Sequence, residues 1–166
     1  RITEIMYHPQ ETGDPNDPNE EFIELKNIGT ETINLNLVKL TNGVDFAFPN
    51  VQLAAGEYLV VVKSLAAFAA QYPGFSGVIA GEYLGSLSIE GERIELEDAA
   101  GQTILDFRYE DGWRNITDGQ GYSLTIIDPC NTTVSRTSGG LVAHWALDDG
   151  AGAVAIDIAG TNNGAL

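Results

Sequence analysis

The sequence predicts an all-β fold with one short helix. Three observations carry this. Short apolar runs recur through the first 128 residues, and clusters of Gly, Asn, Asp and Pro separate them. Several runs also alternate apolar with polar residues at the period of two that places successive side chains on opposite faces of a strand.

The predicted strands are Ile2–Tyr7, Glu21–Ile28, Thr32–Thr41, Val44–Phe48, Glu57–Lys63, Arg93–Glu97, Thr103–Tyr109 and Tyr122–Ile127. In Phe22-Ile23-Glu24-Leu25, Ile23 and Leu25 share one face and Glu24 takes the other. Arg93–Glu97 alternates in the same way, with Ile94 and Leu96 inward. Leu59–Val62 is continuously apolar, as expected of a strand covered on both faces.

Asn42-Gly43 suits a tight hairpin because both residues tolerate positive φ. Glycines in Ala54-Ala55-Gly56 and Ala99-Ala100-Gly101 mark two further turns, and the proline-rich segment His8–Asn19 reads as a surface loop. Ser64–Tyr72 breaks the pattern. It is alanine-rich, with Leu65, Phe68, Ala69 and Tyr72 at helical spacing, Ser64 as N-cap and Pro73-Gly74 as the stop. It predicts a short helix crossing the end of a sandwich.

Composition limits the function classes. Eight Lys and Arg stand against 24 Asp and Glu, for a net charge of −16. Nucleic-acid binding needs a positive surface to release counterions, so that class is set aside, as is docking on anionic lipid. No apolar run is long enough to span a bilayer, so no membrane insertion is expected. The single cysteine, Cys130, excludes an intrachain disulfide.

Asp128–Gly140 is polar and rich in Gly, Ser and Thr, which is linker composition. The expected organisation is a domain over 1–128, a linker over 129–140 and a partial domain over 141–166. Leu141–Leu166 reads as the opening of a domain that stops short, so the chain is expected to be a piece of a longer modular polypeptide. Leu141–Leu147 is expected to be a strand in need of a partner, with edge pairing between copies through 141–147 as one outcome.

Ordered landmarks carry a resemblance. They are Ile2–Pro9, Glu21–Asn27 with Gly29, Phe46–Pro49, Leu53–Val62, Gly85–Leu96, Asp98–Gly101, Tyr109–Trp113 and Asp118–Leu124. This string resembles the lamin-tail domain in its bacterial form, over about residues 1–130. The resemblance implies an immunoglobulin-like β-sandwich without the inter-sheet disulfide. Leu141–Gly152, followed by Ala155–Asp157 and Gly160–Leu166, is similar to the start of a laminin-G-like, concanavalin-type lectin domain. Together they imply a large secreted or cell-surface bacterial protein. The protein and DNA binding of animal lamin-tail domains is not carried over to DNA here, because the charge is wrong.

Catalytic motifs are scarce, and no catalytic residue is assigned. The two histidines, His8 and His144, lie apart in sequence, and no nucleophile elbow, His metal pair or phosphate loop is present. Carboxylates are plentiful. If the first two strands pair antiparallel, Glu4 and Glu24 share a face. They then repel unless a cation or an arginine such as Arg93 lies between them, or one keeps its proton. The bland alternative is two solvated residues balanced by Lys26 or Arg93.

Asp14 and Asp17, in the loop Asp14–Glu20, supply oxygens of the kind calcium prefers, without the spacing of a regular calcium loop. Glu4, Glu24, Asp14 and Asp17 are therefore the candidate calcium ligands, and no other cofactor is expected. Tyr109 and Trp113 flank Glu110-Asp111-Gly112 and are the candidate ligand-stacking rings, with edge packing as the alternative. The expected function is a non-catalytic interaction or spacer module in an extracellular or surface protein, with a protein or surface polysaccharide as partner. The competing reading is a calcium-dependent carbohydrate-binding or adhesion module accessory to a hydrolase.

Overall fold

Two five-stranded sheets face each other across one core. The computed structural model describes residues 1–126 and the backbone of a strand pair further along, Val154–Ala155 with Gly164–Ala165. The strands in chain order are β1 (Ile2–Met6), β2 (Phe22–Lys26), β3 (Ile33–Asn34), β4 (Lys39–Asn42), β5 (Val44–Ala47), β6 (Gln52–Leu53) and β7 (Tyr58–Val62). After helix α1 (Leu65–Gln71) come β8 (Val78–Glu82), β9 (Leu84–Gly85), β10 (Arg93–Glu97), β11 (Thr103–Arg108) and β12 (Leu124–Thr125).

The first sheet has the order β12-β1-β2-β7-β8 and the second β11-β10-β4-β5-β9; β3 pairs with β6 as a small separate ribbon. Ile2, Ile5, Ile23, Leu25, Leu59 and Val61 from the first sheet meet Leu40, Val44, Ile94 and Leu96 from the second. Each such side chain, taken fully out of water, contributes about 1.5–3 kcal/mol. The fold is the expected all-β, immunoglobulin-like sandwich.

The continuous apolar run of β7 is explained by cover on both faces. Leu59 and Val61 enter the inter-sheet core, while Val60 and Val62 join Met6, Phe22 and Phe68 in a second cluster on the outer face. Helix α1 supplies that outer cover. Ser64 Oγ accepts from the Ala67 N–H, as an N-cap should. Phe68 packs edge-on against Phe22 with centroids 5.7 Å apart. The helix therefore lies on the outer face of the first sheet rather than across the end of the sandwich. It connects β7 to β8, which run parallel, and a parallel pair requires a crossover of this kind.

Strand β1 holds a bulge. Its register with β2 shifts between Ile2 and Glu4. One extra residue lets Ile2 and Ile5, three apart, both face the core, and leaves Thr3 and Glu4 on the outer side.

The expected strand Thr32–Thr41 is two strands, β3 and β4. Asn34 Oδ1 accepts from the Asn36 N–H at 2.9 Å, and Leu37 takes φ 64. That turn breaks the ladder while Leu35 and Val38 still reach the core. Strands β6, β8 and β9 are additional to the predicted set. The Asn42-Gly43 turn joins β4 to β5, with Gly43 at φ +78. The last predicted strand is reduced to Leu124–Thr125. The domain boundary at 128, the linker 129–140 and the strand expected at 141–147 lie outside the described residues.

Candidate functional site

The antiparallel register of β1 and β2 sets Glu4 directly opposite Glu24. Both are partly buried on the outer face of the first sheet. Directly opposed positions place Cβ atoms about 4.5–5.5 Å apart, so the two carboxyl groups repel when both are charged; for Glu4 this is a smaller cause than burial. The bulge brings the Thr3 hydroxyl to Glu24 Oε1, to which it donates at 2.5 Å. The Ser123 hydroxyl, on the segment entering β12, donates to Glu4 Oε1.

Arg93 does not balance this pair. It lies on the second sheet, where it is bidentate to Asp106 at 2.7 and 3.0 Å. Lys26 lies two residues along β2 from Glu24 and bonds the Tyr58 hydroxyl at 2.5 Å; its charge favours an ionised Glu24. Burial, opposed by the Ser123 bond and reinforced by the Glu24 charge, pushes the Glu4 carboxyl up to about 7. Burial also raises Glu24, against the Thr3 bond and Lys26. Of the alternatives read from the sequence, Arg93 is removed by its place on the second sheet, and burial favours a proton on Glu4. A carboxyl poised near neutrality is also what acid–base catalysis uses. Here Glu4 accepts a hydrogen bond from the Ser123 hydroxyl of the same domain.

Asp14 and Asp17 are turned to their own loop. Asp17 is buried in a short 3-10 turn, Asp17–Asn19. Its carboxylate accepts from the Thr12 N–H at 2.6 Å, the Gly13 N–H at 3.0 Å and the Thr12 hydroxyl at 2.9 Å. Burial works against its charge, but these bonds outweigh it and hold the group below its ordinary value. Asp14 Oδ1 accepts from the Asn16 N–H at 2.8 Å. Among the described residues, no three His, Cys, Asp or Glu side chains converge as a metal-binding group.

Tyr109 and Trp113 part company. Tyr109 is fully buried, packs on Tyr7 at 5.0 Å between centroids, and donates from its hydroxyl to the Ser88 carbonyl at 2.7 Å. Its ring has no face open to a ligand, because the core occupies both sides. Trp113, in the 3-10 turn Asp111–Trp113, is 50% exposed and is the one of the two available for stacking.

Three polar arrangements escape sequence reading. Glu21, buried, receives Lys63 at 2.7 Å, the Tyr83 hydroxyl at 2.9 Å and the Leu87 N–H at 2.8 Å. Burial and the Glu21 charge hold the Tyr83 hydroxyl far above the usual phenol range. His8 places Nδ1 2.6 Å from Asp118 and Nε2 3.3 Å from Glu11. Burial opposes its charge, but the two carboxylates outweigh burial and raise it above its ordinary value. With both ring nitrogens on carboxylate oxygens, the protonated ring can donate twice, which favours the charged form of His8. Finally, Arg93 also reaches Glu95 at 3.1 Å and so bridges two carboxylates.

A family model for the lamin tail domain matches residues 1–111, which run from β1 through β11. A search of curated proteins gave no match.

Proposed function

The chain belongs to the lamin tail domain family, a non-catalytic immunoglobulin-like domain family, and from that premise we propose that it acts as an interaction or spacer module. One observation carries the reading: the carboxylates and the tyrosine singled out above are turned to partners within the domain. Glu21 meets Lys63, Glu4 meets Ser123, Asp17 meets Thr12, and Tyr109 meets Ser88. Such groups hold loops and strands together, and contact with a partner falls to the exposed surface. We further propose that the module belongs to a large exported bacterial protein, with 141–166 opening a laminin-G-like neighbour. That part rests on the motif string alone.

The test is a panel of surface polysaccharides, peptides and divalent ions, screened by thermal melting of the full chain. A true ligand raises Tm by mass action. Turnover of any hydrolase substrate would overturn the reading. The second reading, a calcium-dependent carbohydrate-binding module, draws support from the half-exposed Trp113 ring and from the net charge of −16. It requires that chelator lower Tm and that Trp113→Ala abolish sugar binding.

A further inference from the structure

β12 is the most lightly tied strand of its sheet. Among the described residues it is two residues long and pairs only with β1, through Glu4 with Thr125 and Ile5 with Leu124. The Ile126 N–H adds one bond to the Thr3 carbonyl, and Leu124 is only partly buried against the core. Side chains supply further anchoring. Tyr7 and Thr117 share a hydroxyl bond at 3.1 Å. Two backbone bonds, Gly119 N–H to the His8 carbonyl and Glu11 N–H to the Gly119 carbonyl, both at 3.3 Å, also tie the segment down. Two further anchors are titratable on the N-terminal side: His8 with Asp118, and Glu4 with Ser123.

We propose that the segment 117–126 is a proton-dependent latch. Mildly acidic conditions hold it on β1, and loss of the protons on His8 and Glu4 opens it while the rest of the sandwich stays folded.

The groups facing Glu4 are Glu24 from β2 and the hydroxyls of Thr3 and Ser123. Lys26 lies further along β2, Val60 stands opposite Glu24 on β7, and α1 over the same face carries no charged residue. β1 lies between β2 and β12, so water reaches an ionised Glu4 when β12 moves away. The Ser123 bond favours the ionised form and offsets part of this drive.

His8 faces Asp118, Glu11 and the Tyr7 ring, with Asp111 acting on Tyr7 nearby. A neutral imidazole donates to one carboxylate only. The signs agree. Glu4 titrates near 7 when closed and in the ordinary carboxylate range when hydrated, and His8 sits above its ordinary value when closed. Each therefore favours opening as pH rises through neutrality.

Amide hydrogen exchange on the full chain, corrected for intrinsic rates, reads the latch directly. Between about pH 5.5 and about pH 8, protection of the Ile126 and Gly119 amides is expected to fall about tenfold or more. Ile23 and Val61, in the middle of the sheet, should change far less. Glu4→Gln should flatten the Ile126 profile, and His8→Gln should lower Gly119 protection on the acidic side. A uniform loss across all four amides, a flat profile at Ile126, or an unchanged profile in Glu4→Gln would overturn the proposal. If Glu4→Gln does not fold, the wild-type contrast between Ile126 and Val61 decides alone.

Discussion

Each sheet carries one directly opposed carboxylate pair on its outer face, and the two are neutralised by different means. On the second sheet, Glu95 faces Asp106, and the Arg93 guanidinium bridges both. On the first sheet, Glu4 faces Glu24, the Thr3 and Ser123 hydroxyls donate to the pair, and burial pushes the Glu4 carboxyl up to about 7, which favours one retained proton below neutrality. The surroundings differ. Asp106 and Arg93 stand near half exposure, where water and salt screen their charges, while Glu95 is buried. The Glu4 pair shares the outer face of the first sheet with the apolar cluster that α1 covers. A proton adds no volume, and an arginine placed there would have to be buried with its stem. Glu21 shows a third solution, an ammonium brought in from β7's end by Lys63.

The largest effect should come from that third case. Lys63→Met leaves the Glu21 carboxylate buried without its cation, and chemical denaturation should show a loss of about 3–5 kcal/mol.

Next is the pH dependence of the first-sheet pair. Folded Glu4 binds its proton more tightly than unfolded Glu4, so stability is full below the unfolded value of 4.5 and falls as pH rises through about 7. The contribution is at most about 3 kcal/mol. Glu4→Gln should lack this slope and be more stable than wild type above neutrality.

Arg93→Gln should cost less than either, and high salt should erase most of the cost. Asp106, which the Arg93 bond holds below its ordinary value, should move back up in the variant, as an NMR titration would show. The smallest effect is Glu24→Gln. It removes a like charge but leaves burial, the leading cause, so Glu4 should come down only part of the way.

The pairing of Glu4 with Glu24 was legible because two alternating strands joined by one loop tend to pair, and alternation fixes which side chains meet. The choice among arginine, cation and proton was not. Whether Arg93 joins β1 or faces away on another sheet depends on the strand order, which local periodicity does not encode. β8 was missed because it enters by a parallel crossover, and its exposed Val78 and its glycine, Gly81, blunt the alternation. Glu21 and His8 find partners 42 to 66 and 110 residues away, beyond the reach of spacing arguments. The calcium candidates divided along the same line, Glu4 and Glu24 on a sheet face, Asp14 and Asp17 capping their own loop. Tyr109 looked like a loop ring because Glu110-Asp111-Gly112 follows it, yet its N–H still bonds the Glu92 carbonyl and carries it into the core.

The proton on the first-sheet pair, standing where the second-sheet pair has an arginine, can be followed at the Glu4 side-chain carboxyl carbon by NMR through a pH titration, with and without added calcium. A midpoint near 7 that calcium leaves in place is expected. A midpoint in the ordinary carboxylate range, or one that calcium pulls down, would show that no such proton is held.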